Sequence, residues 1–470
     1  MKGVINSGLK KTQAGSPSAE TGWKPILRST RSVSLKTRLI LLFYNLLFPF
    51  VFLGLLPTYL GRMFKRGHYR EKFGQRFGSY SSEVRLKFAQ GDWIWIHAVS
   101  VGEVLIAYKL AQKMKAIRPD LKVALSTTTT TAFALASKSS ASWLEIIYHP
   151  IDFPTFINAA LDLIQPRQII LVEAEVWPNL TFSAHQRGIP LALVNARLSP
   201  RSESRFRQFR FFTAPIFQLL DLICVQEPED LARWKSLGVS DEPLHLTGSI
   251  KFDHSDSEST RTEEFRALLA GLGVKQGAPI LLAGSTFPDE EKLLAQMVLE
   301  LRPAFPDLFL IIVPRHIERT PDILAEIQAV GLNCALRTEA ISSQTVDCLI
   351  VNTIGELRDW YYVGTVIFIG KSLTAIGGQN PVEAVVAGKP VLFGPHMENF
   401  QAIVDQWLKQ KAAIQVSDVL ELKVQMMRLL ADPQLGETMA MNACHAIAPH
   451  QGATQRTVEL LLGTRRQLCS

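Results

Sequence analysis

The sequence predicts an α/β protein of two doubly wound, Rossmann-like domains facing across a cleft, preceded by an N-terminal membrane anchor. Three observations predict this. From Trp93 onward, short apolar runs alternate with amphipathic stretches; the rhythm restarts after a polar break at 251–264; and an uncharged apolar run, Leu39 to Leu60, precedes both. Strands that are apolar throughout and separated by helices belong to parallel sheets covered on both faces. A chain of 470 residues also exceeds what one hydrophobic core usually organises.

Residues 1–36 are polar, rich in Ser, Thr and Lys, and without a sustained period, so they read as a disordered basic tail. The anchor is placed at 37–62. Its apolar run "LILLFYNLLFPFVFLGLLPTYL" is about as long as a bilayer-crossing helix. It is followed by "GRMFKRGHYREKFGQRFG", not by a small-residue cleavage site, which argues against a signal peptide. The net charge of +7 is concentrated here: residues 1–38 hold eight Lys/Arg and one Glu, residues 61–90 eight Lys/Arg and two acids, and the remainder is net acidic. Basic flanks on both sides fit an anionic membrane surface as partner. They leave open whether the run, broken by Pro49 and Pro57, spans the bilayer or embeds from one face. Five scattered cysteines without C-x-x-C spacing give no disulfide or metal framework.

The first α/β domain, 63–255, carries strands read at 93–99, 122–128, 168–175, 190–196 and 222–226, with helices at 104–117 and 229–239. The second, 256–470, carries strands at 279–286, 308–316, 347–353, 365–370 and 390–394 and helices at 401–411 and 417–431, its last helices with the option of returning to the first domain. Ligands of doubly wound sheets sit at the carboxyl ends of the strands. Those ends fall on Ser100 to Glu103, Glu173 to Glu175, Asn195 to Arg197, Gly284 to Thr286, Pro314 to His316, Asn352 with Thr353, and Gly370 with Lys371. Any one of these residues is more often a cap or a turn; their concentration at corresponding ends in both halves points to a site.

In "IGGQNPVEAVVAGKP" (376–390), Asn380 reads as an N-cap and Pro381 as the first residue of a helix ending at Gly388. Its amide hydrogens suit a phosphate, Gly377 and Gly378 admit a ligand close to the backbone, and Glu383 fits a capping bond or a ribose diol. In "VSVGEVLIAYKL", Gly102 reads as a turn and Glu103 as the opening of a helix, where a carboxylate is ordinarily stabilised as the anion. To act as a general base it must be partly desolvated. Alternation sends Glu173 and Glu175 of "VEAEVWPNL" to one side. Arg315 suits a phosphate or carboxylate by its planar fork. The arginines between Arg197 and Arg210, interleaved with aromatics, form a basic face toward solvent, an anionic acceptor or lipid headgroups. No Asp-x-Asp, H-E-x-x-H, G-x-S-x-G or Walker motif occurs.

"SVGE", "EAEVWPNL", "NARLSPRS", "TGSIKFD", "PRHIER", "GGQNPVEAVVAGKPVLFGPHMENF" and "REKFGQRFG", long and in order, resemble the motifs of the 3-deoxy-D-manno-octulosonic acid (Kdo) transferases. The resemblance implies the GT-B fold and inverting transfer of Kdo from CMP-Kdo to a lipid A precursor at the cytoplasmic face of the inner membrane. It implies no metal at the centre, no cofactor and no nucleic-acid partner. By that likeness Glu103 is the catalytic base. Arg315, Gly377, Gly378, Asn380 and Glu383, with Ser285 at its strand end, hold the donor, and Glu175 and Arg197, with Ser100 and Gly102, line the acceptor side. Gln379, Phe287 and Asn352 depart from the family's usual residues. A GT-B enzyme with another nucleotide sugar, and a non-catalytic membrane-bound relative, are the alternatives.

Overall fold

The computed structural model describes residues 33–66, 72–89, 91–138, 141–253, 261–339 and 345–463. The tail expected at 1–36 lies outside these except for its last four residues, of which Leu35 and Lys36 already belong to the first helix. The chain forms two compact units, one up to Leu246 and resuming at Thr454, the other Thr247–Ala453.

The first unit holds β1 (Trp93–His97), β2 (Lys122–Thr127), β3 (Leu144–Tyr148), β4 (Gln168–Val172), β5 (Leu191–Ala196), β6 (Leu222–Val225) and β7 (Leu244–Leu246). They form one parallel sheet in the order β3-β2-β1-β4-β5-β6-β7. Trp95, Ile169, Leu171, Leu193 and Ile223 pack one face of it, all fully buried. Each such side chain removed from water contributes roughly 1.5–3 kcal/mol. The "REKFGQRFG" motif docks on β3: Gln75 accepts the Tyr148 amide at 2.9 Å, and the Arg76 guanidinium lies 4.1 Å over the Tyr148 ring.

The second unit holds β8 (Ile280–Thr286), β9 (Phe309–Pro314), β10 (Cys334–Leu336), β11 (Cys348–Ile350), β12 (Val366–Ile369), β13 (Val391–Phe393) and β14 (Ile414–Gln415). Their order, β10-β11-β9-β8-β12-β13-β14, is again parallel and changes direction beside its first strand. Leu282, Ile311, Leu349 and Ile367 pack one face while Leu281, Leu310, Ile350 and Phe368 pack the other. This period of two, apolar on both sides, is why these strands read as continuous hydrophobic runs.

The segment expected as an anchor, 37–62, lies within a single helix, Leu35–Arg66, running through Pro49 and Pro57 without a break. Its two prolines cost amide donors but do not end it. The segment Leu35–Gly54 is long and apolar enough to cross a membrane, and little of it is buried.

Candidate active site

At the end of β1 the chain turns directly into the helix Val101–Ile117. Ser100 is its N-cap, with its hydroxyl accepting the Glu103 amide at 3.3 Å, so Gly102 lies inside the first helical turn and is not the turn itself. Glu103 is the third helical residue. Its Oε2 accepts the Val99 amide at 2.9 Å, a reciprocal closure of the helix end. Only 6% of Glu103 is exposed, and burial raises its carboxyl pKa despite the hydrogen bonds from Val99 and Ser100. The charge of Glu173 adds to that rise. Oε1 has no hydrogen-bond partner among the described residues, which leaves one oxygen of an oriented, desolvated carboxylate to take up a proton.

Glu173 and Glu175 follow β4. The strand stops at Val172, and Glu173 adopts left-handed backbone geometry (φ 61°), so the alternation expected across 168–175 ends before it reaches either acid. The Glu175 Oε2 accepts the Trp177 indole N–H at 3.1 Å. Burial, then the neighbouring charge of Glu103, push the Glu175 carboxyl up to about 7. Three carboxylates thus sense one another at the ends of β1 and β4. Arg197, exposed after β5, acts on a different pair: its charge partly offsets the upward shifts of Glu227 and Asp230.

In the second unit the chain also leaves its central strands through left-handed residues, Ser285 in β8 (φ 56°) and Lys371 after β12 (φ 57°). Such geometry is uncommon outside glycine and gathers at sites that surrounding structure holds in place. Here a carboxylate does the holding. Glu290, fully buried, accepts the amides of Phe287 (2.9 Å), Lys371 (2.8 Å), Ser372 (3.1 Å) and Leu373 (3.0 Å). The Lys371 ammonium lies 5.1 Å over the Phe287 ring, which also packs edge-on against His316. Arg315 is exposed at the end of β9, its amide bonded to the Thr286 carbonyl.

Gly377 and Gly378 both have positive φ, and a Cβ on Gly378 would meet the Met397 sulfur at 2.5 Å. Their amides are not open to a ligand in this conformation. The Gly377 N–H donates to Glu398 Oε2 at 2.7 Å and the Gly378 N–H to the Lys371 carbonyl at 3.1 Å. The helix that follows is Val382–Val386, five residues long, with Pro381 as its N-cap and the Asn380 side chain accepting the Val382 amide at 3.1 Å. The sequence expectation of a helix from Pro381 to Gly388 is corrected accordingly. A single turn carries little dipole, so a phosphate here would rely on side-chain cations and loop amides. Glu383 is half-buried; burial raises its pKa and Arg358 opposes the rise.

The 3-Deoxy-D-manno-octulosonic-acid transferase (kdotransferase) family model matches residues 71–254. A 3-deoxy-D-manno-octulosonic acid transferase of Haemophilus influenzae is 29% identical over 419 residues, 87% of this chain and 94% of the relative. The Bordetella pertussis enzyme of the same name is 32% identical over 381 residues, covering 78% of this chain and 86% of its own. The chain belongs to the Kdo transferase family. Among solved structures, Acinetobacter baumannii MurG matches with a TM-score of 0.50 at 14% identity, over 79% of this chain and 99% of its own, a likeness of fold. The chain is a GT-B glycosyltransferase of the Kdo transferase family.

Within this Kdo transferase the structure gathers Glu103, Glu175 and Ser100 at neighbouring strand ends of the first unit. It gathers Ser285, Gly377 and Gly378 around the Lys371 turn of the second. Sequence reading placed Lys371 only as a strand-end residue and missed Glu290 and Glu398 beside it. Glu290 and Glu291 open a helix, where acids are ordinary, and nothing in "FPDEEKLL" distinguishes a carboxylate that binds four amides from a solvated one.

Proposed function

We propose that this chain transfers Kdo from CMP-Kdo to a hydroxyl of a lipid A precursor, with inversion at the anomeric carbon and without a metal. Glu103 Oε1 removes the proton from the acceptor hydroxyl as its oxygen forms the new bond to the anomeric carbon. The bond from that carbon to the CMP phosphate oxygen breaks, and CMP leaves with the electron pair. A single displacement from the face opposite the leaving group inverts the centre. Arg315 and Lys371 stabilise the phosphate charge, Ser285, Asn380 and Glu383 orient the nucleotide, and Glu175 and Arg197 position the acceptor. Gly377 and Gly378 let the donor approach closely, with the Gly377 amide changing partner from Glu398.

The observation that carries this reading is Glu103 itself, buried, raised in pKa, held at one oxygen and open at the other. No three His, Cys, Asp or Glu side chains gather as metal ligands among the described residues. The enzyme works at the cytoplasmic face of the inner membrane, with the helix Leu35–Arg66 embedded from that side.

The test is incubation of the full chain with CMP-Kdo and a lipid A precursor, followed by mass analysis of the lipid. The expected product gains Kdo, at a rate that excess chelator leaves unchanged. Glu103→Gln lowers turnover by roughly two or more powers of ten with the fold intact. Normal turnover in that variant would remove Glu103 as the base, and thermal stabilisation by UMP but not CMP would point to another donor.

A further inference from the structure

Val99, between β1 and Glu103, is bonded on both sides of its Cα. Its N–H donates to Glu103 Oε2, and its carbonyl accepts two hydroxyls, Thr127 Oγ1 at 3.3 Å and Thr129 Oγ1 at 3.2 Å. Together these bonds fix the φ and the ψ of the one residue whose amide aims the carboxylate. Both threonines are themselves anchored. Thr127 is fully buried as the last residue of β2, and its own carbonyl accepts the His149 amide at 3.0 Å. Thr129 is the N-cap of the helix Thr130–Ser137, its hydroxyl accepting the Ala132 amide at 3.2 Å while donating to Val99. One step upstream the Ala98 amide is bonded to the Ser126 carbonyl at 3.0 Å, so the β2 end grips this loop at consecutive residues.

We propose that Thr127 and Thr129 are positioning residues for Glu103, clamping the Val99 peptide so that its amide holds one carboxylate oxygen and turns the other toward the acceptor hydroxyl. This rests on Glu103 as the base. The clamp has a chemical consequence beyond geometry. An amide hydrogen bond favours the ionised carboxylate, so it keeps a buried base in its proton-accepting form at lower pH than burial alone would allow. Releasing Val99 withdraws that bond and lets the carboxyl rise further.

The test compares Thr127→Val, Thr129→Val, the double variant, the corresponding serine variants and Glu103→Gln in the full chain, assayed for transfer across pH. Valine keeps the shape of threonine and removes only the hydroxyl. The expected result is a kcat about tenfold or more lower in the double valine variant, as for a misplaced catalytic group. Its donor KM stays unchanged, the acidic limb of its kcat profile moves to higher pH, and the serine variants restore both rate and limb. A double valine variant with the parental kcat and an unmoved limb, beside an inactive Glu103→Gln, overturns the clamp alone. An active Glu103→Gln overturns the base and the clamp with it. Melting curves check folding; should the double variant unfold, the limb is read in each single variant, and an unmoved limb in both rejects the proposal.

Discussion

Glu175 illustrates how a single residue at a strand end couples site electrostatics to stability. Its carboxyl is pushed up to about 7, first by burial and then by the charge of Glu103. The folded state therefore holds a proton on Glu175 across a window where the unfolded chain has already lost it, from the usual carboxylate range up to about 7. Because the native state binds more protons there, stability falls as pH rises through the window and levels off above it. Glu175→Gln cannot ionise, so it should flatten this slope: the drop in melting temperature between pH 5 and pH 8 becomes smaller than in the parent, and the variant is the more stable of the two at pH 8. An equal or steeper drop would show that Glu175 is already ionised in the folded protein at pH 5. The sequence made Glu103 and Glu175 legible as strand-end acids. It did not reveal that Glu173 flips into left-handed geometry, because that depends on where β4 ends, and nothing in "VEAEV" marks Val172 as the last paired residue.

At the scale of elements, the interior strands were legible and the edges were not. β1, β4, β5, β8, β9 and β12 announce themselves as long apolar runs because both faces are covered. β7, β10 and β14 have two or three residues each and carry no readable period. β3 escapes for a different reason: Glu145 interrupts its run, and only the structure shows that carboxylate paired with Lys87 at 3.0 Å. The turn after β12 was equally invisible, since its acceptor is Glu290, some eighty residues earlier in the chain. That carboxylate substitutes for four separate backbone partners, so Glu290→Ala strips the Lys371–Leu373 turn of its acceptor at once. With about 1–3 kcal/mol at stake for each amide left unsatisfied, and water able to reach the half-buried ones, the expected loss is roughly 2–4 kcal/mol of stability in denaturant unfolding. Weaker stabilisation by CMP accompanies it, because the turn carries Lys371. A variant as stable as the parent would mean that the four amides find other acceptors.

For the whole molecule, the central question is how a long apolar helix serves a Kdo transferase for which a lipid acceptor is proposed. Leu35–Arg66 has two distinct sides over its first half. Ile40 and Leu41 are buried against the first unit, the Tyr44 hydroxyl donates to Asp152 at 3.1 Å, and the Asn45 and Asn179 amides exchange hydrogen bonds at 3.1 and 2.8 Å. Phe43 stacks on Phe212 with centroids 6.0 Å apart. The opposite side, Leu39, Leu42, Leu46, Phe50 and Leu53, is a stripe at helical spacing, each residue more than half exposed. A helix crossing the bilayer would carry Tyr44 and Asn45 to mid-depth, away from Asp152 and Asn179, leaving polar groups unpaired in hydrocarbon and a buried carboxylate short of a donor. Embedding the stripe while the other side stays docked avoids both costs, and accounts for basic flanks at both ends. On the proposed membrane-bound reading, the residues ahead of the helix are therefore expected on the same side of the membrane as the transferase units. An epitope tag at the N-terminus should survive protease added to intact spheroplasts and be digested only after lysis, while a periplasmic control is cut in both. Digestion of that tag in intact spheroplasts would establish a spanning helix and rule out docking of its first half as the membrane-bound arrangement.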